Sequence, residues 1–362
     1  MPELSITQES RDRAAASPTR VAAPRQRQAM SSRRIAGWLA AGILLALATA
    51  VAASIVVGTL QLDPLQALDA VFSPSRTRAS MVVWSIRLPR ITVAMLVGGA
   101  LAGVGVLMQA VFRNPLAEPG ITGVSAGSAV GAVAGITLGL SGSLQWGVPL
   151  AAFAGGLAVA LLLQLVLHTQ RGAGTHTIIL VGVSINAFAG AIIAILIANA
   201  RDDALARGAV FWLAGDLELR TWAHAAVAAG PILLGLAILG TRTGALDALL
   251  LGDDVASTSG YDVHRTRWAL LLLASLITGA AVAVSGIISF VGLVVPHAVR
   301  LIVGAKHSLL LPLSVAGGAL FLVIADTIAR SSSVLVIIQT GAVCALIGAP
   351  VFLFLLLSRR PV

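Results

Sequence analysis

Charge is scarce in this sequence. Only 11% of its 362 residues are Asp, Glu, Lys or Arg, against roughly a quarter in a soluble domain. Its single lysine, Lys306, stands in Gly304-Ala305-Lys306-His307. No Gly-rich turn leads into Gly-Lys-Ser/Thr, so the chain lacks the phosphate-cradling loop of an ATPase. Cys344 is the only cysteine, which excludes an internal disulfide and a Cys-rich metal site. It lies in an apolar run and reads as a buried, inert thiol. No catalytic triad and no metal-ligand cluster is spaced along the chain, so neither enzyme chemistry nor a cofactor is expected. The strict alternation of a membrane β-barrel is also missing.

What is present is apolar: 57% of the residues, in long uncharged runs that recur along the chain. Such runs predict an all-α polytopic membrane protein. Gly 37 and Ala-rich runs suit helices whose backbones approach closely. The runs place helices near 36–60, 91–112, 121–139, 145–168, 177–198, 222–241, 268–285, 287–304, 309–328 and 335–357, ten crossings with both ends cytoplasmic. The net charge of +9 does not indicate nucleic acid, because the basic residues gather in a tail and in loops. Residues 1–35 carry Arg11, Arg13, Arg20, Arg25, Arg27, Arg33 and Arg34 among Ala, Ser, Pro and Gln. They read as a disordered cytoplasmic tail that fixes the N-terminus inside, ahead of a membrane domain over 36–362. The tail is too long and polar for the n-region of a signal peptide. Basic loop residues fall equally on the two faces, so the outer face is unusually rich in arginine, and such departures from a local rule often mark function. Residues 199–221 have an apolar middle too short to span, which predicts a short helix lying at the outer mouth.

Four motifs carry more. Arg87-Leu88-Pro89-Arg90 opens an apolar run that Arg113-Asn114-Pro115-Leu116-Ala117-Glu118-Pro119-Gly120 closes. The turn residues there stop a helix of bilayer length. Between 242 and 268 runs Gly252-Asp253-Asp254-Val255-Ala256-Ser257-Thr258-Ser259-Gly260-Tyr261, which fits two short amphipathic turns split by Gly260. Ser285-Gly286-Ile287-Ile288-Ser289-Phe290-Val291-Gly292-Leu293-Val294-Val295-Pro296-His297-Ala298-Val299-Arg300 follows, and Gly341 to Leu357 ends the apolar chain. His297 has no second His or carboxylate three or four residues on, so it is not read as a metal ligand. A charge deep in a bilayer costs roughly 2.5–3.5 kcal/mol, so His297 and Arg300 should face protein or the inner interface.

In this order, the motifs resemble the FecCD family of ABC importer permeases, over about 36–357. The resemblance implies a type II importer permease of ten helices, one of two such subunits, identical or homologous, around one pathway. It implies a binding protein outside, two ATP-binding subunits inside, and a cytoplasmic-membrane location. It implies docking of the binding protein on Arg87, Arg90 and Arg330, for which the plain alternative is membrane-surface anchoring or salt bridges within the chain; Asp326 stands one turn from Arg330. It implies a cytoplasmic gate at Asn114, Pro115 and Leu116, and at Gly174, Thr175, His176 and Thr177, and ATPase coupling through Gly252, Asp253, Asp254, Ala256 and Gly260. Gly292, Pro296, His297 and Arg300 match its structural motif. One departure is plain: the family's Glu-Leu-Pro-x-Gly is here Ile337, Ile338, Gln339, Thr340 and Gly341. The cargo implied is a metal chelate. A wall of Ser, Thr, Asn186, Gln109 and apolar residues suits a ferric siderophore better than a bare ion, with haem and cobalamin as alternatives. An ion-coupled secondary transporter is the rival of another class. It requires midplane carboxylates, and Asp326, near the outer end of its helix, is the one candidate.

Overall fold

The computed structural model of the chain describes residues 24–58, 62–72, 77–140, 146–169, 175–331 and 338–357, and these hold helices and no strand. The first helix, α1 (Pro24–Val56), starts well before 36. Proline at a helix start is favoured, and the Arg, Gln, Ala and Met that follow are good helix formers, so 24–35 are helical. Residues 1–23 lie outside the described residues.

After α2 (Pro64–Phe72) comes a helix in three parts: α3 (Arg78–Val82), a π-helical turn over Val83–Arg87, and α4 (Leu88–Val111). The helix expected at 91–112 therefore runs on past Arg87 and Arg90 to Arg78. Pro89 does not break it, because the wide π-turn lies where the proline ring would meet the carbonyl four residues back. Beyond α4 a single 3-10 turn (Pro119–Thr122) leads into α5 (Val124–Thr137). Then come α6 (Gly147–Thr169), α7 (Thr175–Ala198), the short α8 (Asp203–Leu213) and α9 (Trp222–Thr241). The small helices α10 (Thr243–Leu251) and α11 (Asp253–Thr258) precede α12 (Val263–Ser285), α13 (Val291–Val303), α14 (His307–Ser331) and α15 (Thr340–Leu357). Among the described residues seven helices are long and apolar enough to cross a membrane, and the apolar α5, α13 and α15 are shorter. These elements coincide with the ten expected crossings.

The core forms around α4, which is buried along most of its length. It lies against α14 so closely that a methyl group on Gly98 would stand 2.2 Å from the carbonyl oxygen of Gly318. With no hydrophobic drive between helices in lipid, this backbone contact is what holds such a pair. By contrast, α1 and α7 leave most of their surface uncovered.

The α12–α13 connection is longer than the expected break at 286–288. Gly286 (φ 69°) ends α12 and Phe290 (φ 69°) stands left-handed before α13. The stretch 287–290 has no regular structure, and the segments beside it are bonded to each other and to the end of α12. Asp216 N–H donates to Ser285 O at 2.9 Å, and Gly341 N–H donates to Gly215 O at 2.9 Å. A side chain on Gly215 or Gly286 would strike the backbone of Ile287 or Trp212, so α8, this connection and the start of α15 are knit together through bare backbone.

Candidate functional site

At the Arg87 end of α4, one carboxylate organises the site. Asp326, on α14, is 1% exposed. It accepts from Arg90 through Nε at 2.9 Å and Nη2 at 2.8 Å, from Arg330 Nε at 3.1 Å, and from Thr340 Oγ1 at 2.9 Å. A buried carboxylate is tolerable only when paired and hydrogen-bonded in this way. Arg87, 3% exposed, turns away from solvent and caps α1: its Nη1 donates to Ile55 O and, at 2.9 Å, to Val56 O. Arg330 adds Nη2 to Ser54 O at 3.1 Å and Nη1 to Val57 O at 3.2 Å, and also meets Ser54 Oγ. The last carbonyls of a helix lack partners and carry partial negative charge, so two guanidinium groups suit them.

The structure thus brings Arg87, Arg90 and Arg330 together, but with their forks engaged inside the chain. Arg90 and Arg330 make the salt bridges within the chain that stand as the alternative to docking, and Arg87 is held by helix carbonyls. Among the described residues, the arginines exposed at this end are Arg78, Arg201 and Arg207. The last two flank the start of α8, the expected short helix at the mouth, which Asp202 caps by accepting from Leu205 N–H at 2.8 Å. Thr340, in the stretch that departs from the family pattern, supplies a hydroxyl to Asp326. Ile337 lies outside the described residues.

At the opposite end, α4 gives way to a rigid turn. Arg113 is left-handed (φ 48°). Asn114 N–H donates to Gln109 O at 3.2 Å, its Oδ1 accepts from Leu116 N–H at 2.9 Å, and Ala117 N–H returns to Asn114 O at 3.1 Å. This side-chain turn fixes the conformation of Asn114-Pro115-Leu116, with Leu116 exposed. The second expected gate segment is the first turn of α7, where His176 is exposed and Thr177 half-buried. Gly174 lies outside the described residues. The loop after α4 meets α7 farther along that helix, with Asn186 Nδ2 donating to Gly120 O at 3.3 Å. Between these elements and the α12–α13 connection, Glu118, Ser125, Ser289 and Phe290 line a narrow cleft. Burial pushes the Glu118 carboxyl up, against the pull of a hydrogen bond from the Phe290 backbone. No local sequence pattern signals that contact, because Glu118 and Phe290 are far apart in the chain.

The expected coupling segment does form two short helices, but the break falls elsewhere. Gly252 (φ 128°) separates α10 from α11, and Gly260 (φ 87°) instead ends the second helix. The backbone at Gly252 lies in a region that side chains disfavour, which is why the chain turns there. Ala256 is fully buried beneath α11, while Asp254 is exposed. Asp253 Oδ1 accepts from Arg113 Nη2 at 3.1 Å and from Arg267 Nη2 at 2.9 Å. Asp247 of α10 accepts from both the backbone N–H and the Nδ1 of His307, at 2.9 and 2.6 Å.

The fourth motif packs α13. Gly292 lies against Gly105 of α4, and Gln109 Nε2 reaches Gly292 O and Leu293 O, each at 3.4 Å. His297 is buried, its ring steeply inclined to that of Phe352 of α15, centroids 6.2 Å apart. Pro296 lies within the helix, and Arg300 in its last turn.

Residues 43–358 match the FecCD transport family. The chain is 43% identical over 282 residues to the cobalamin import system permease protein BtuC of Halobacterium salinarum, covering 78% of this chain and 75% of that one. It is 39% identical over 279 residues to the Fe(3+) dicitrate transport system permease protein FecD of Escherichia coli, covering 77% and 86%. A solved transporter, described as an inward-facing ABC transporter of metal-chelate type, is similar with a TM-score of 0.78 at 30% identity, over 90% of this chain and 100% of that one.

Proposed function

Because this chain belongs to the FecCD transport family and is a permease of the ABC-importer kind, we propose that it moves a ferric-siderophore-type chelate from a binding protein into the cytoplasm. It works as one of two permeases in the cytoplasmic membrane, with its termini and its Arg113 end inside. Two ATP-binding subunits, separate chains, supply the energy.

The two chemically different ends of α4 carry this proposal. At one end stands an arginine-rich surface, with Arg78, Arg201 and Arg207 in the open and Arg90 and Arg330 behind them on Asp326. Carboxylates of a binding protein suit such a face, since arginine holds them by a two-pronged fork. At the other end stand the gate turn and the small helices α10 and α11, with Asp254 and Val255 exposed for an ATP-binding subunit.

The uncovered surface of α7 supports the pathway. Asn186 and Gly190, one turn apart, are exposed on it, beside apolar residues such as Leu180 and Phe188. Polar groups within a span are costly against lipid and turn to protein or water. The Asn186 side of α7 is therefore assigned to an aqueous path shared with the second permease. It carries no carboxylate, and such a weakly binding wall suits a large chelate that must be let go. Asp326, clamped between two guanidinium groups, is a fixed counter-ion and fits poorly as an ion carrier, which speaks against the ion-coupled alternative.

One observation favours a second cargo. The 43% identity is to a permease named for cobalamin, and a corrinoid is also a large metal chelate. Uptake of labelled ferric siderophores and of labelled cobalamin by cells with and without the gene decides between them. Gene-dependent uptake of the ferric chelate is expected; uptake of cobalamin alone would transfer the assignment.

A further inference from the structure

We propose that Asp253 is the strut that transmits movement of the ATPase-facing helices to the gate turn. This rests on the importer reading above and assigns a positioning role to one carboxylate within it.

The geometry is specific. Asp253 is the first residue of α11, immediately after the hinge at Gly252. A single oxygen, Oδ1, receives two guanidinium groups that come from different parts of the chain. Arg267, 12% exposed, is seated in the long helix α12 and ties the carboxylate to the membrane body. Arg113 belongs to the gate turn itself. It stands between buried Phe112 and Asn114, with its guanidinium close over Gly252: a methyl group there would be 3.7 Å from Arg113 Nη1.

Stiffness on both sides makes the link mechanical. On the gate side, left-handed Arg113 and the Asn114 side-chain turn leave Leu116 little freedom relative to Arg113. On the coupling side, buried Ala256 seats α11, and its carbonyl oxygen accepts from Tyr261 N–H at 3.1 Å. The outward surface of α11, Asp254, Val255 and Thr258, is exposed. A push on that surface moves Asp253, and through the shared oxygen it reaches Arg113. The pair with Arg113 is half exposed on both sides, and such a pair contributes little to stability. Its value lies in connecting two elements 140 residues apart in sequence.

The test reads the gate directly. Leu116→Cys is made in a Cys344→Ala background, which removes the one native thiol. The permease is reconstituted with its ATP-binding subunits. Labelling of Cys by a membrane-impermeant maleimide is timed with and without ATP plus vanadate, and ATP hydrolysis is measured in parallel. In the parent the labelling rate changes several-fold with nucleotide. In Asp253→Asn, and independently in Arg113→Gln, which leaves Asp253 on Arg267, that change shrinks to less than half, while ATP hydrolysis read without vanadate continues. Asp253→Glu restores it. A responsive parent with an equally responsive Asp253→Asn overturns the strut alone. A parent with no response to nucleotide overturns both the strut and the importer reading beneath it.

Discussion

Asp326 is the residue on which the arginine-rich end depends. Its carboxylate is buried and holds Arg90 and Arg330 together. Replacing one member of a buried, hydrogen-bonded charge set costs about 3–5 kcal/mol, because the others stay buried without a counter-charge. Asp326→Asn is therefore expected to lower the melting temperature of the detergent-solubilised protein strongly, whereas Asp254→Asn, at an exposed site, leaves it unchanged. Equal melting temperatures for the two variants would contradict the assigned role. The sequence showed half of this cluster. Arg330 and Asp326 are one helical turn apart and could be paired by spacing alone. Arg90 lies 236 residues from Asp326, and no local pattern joins residues that only the packing of α4 on α14 brings together. For the same reason, the turning of Arg87 onto the end of α1 was not legible. A paired arginine reads the same from sequence whether its fork faces a partner protein or a helix terminus.

Among elements, the long apolar helices were easy to place, because a run of bilayer length admits few alternatives. Their ends were harder. Pro89 signalled a start, yet the π-turn carries the helix through it to Arg78. Gly260 looked like the divider of the coupling segment, but Gly252 has the backbone angles that force the break. Composition marks both glycines alike, and only the path of the chain separates them. Close helix crossings give a sharper prediction. A side chain on Gly105 would begin 1.9 Å from the carbonyl oxygen of Gly292, whereas Gly42 meets nothing within 4 Å. Overpacking of a well-filled contact costs about 1–3 kcal/mol, and here the obstacle is backbone. Gly105→Val should therefore reduce the folded, monodisperse fraction on size-exclusion chromatography, and Gly42→Val should match the parent. Similar profiles for both would show that α4 and α13 do not need that contact.

For the molecule as a whole, charge and exposure differ between the two ends of α4. On the function proposed, exposed arginines at the mouth would steer an acidic binding protein before contact, and such steering acts mainly on the association rate. Arg201→Glu with Arg207→Glu is expected to slow binding of the cognate binding protein by about tenfold at low salt, with dissociation little changed; surface plasmon resonance gives both rates. An unchanged association rate would place docking elsewhere. The permease's dependence on other chains is tested most directly by transport itself. Vesicles containing this chain, its partner permease and the ATP-binding subunits should accumulate labelled chelate delivered by the binding protein only while ATP is present. Vesicles containing this chain alone, under a proton or sodium gradient, should accumulate none; gradient-driven accumulation by this chain alone would contradict the account.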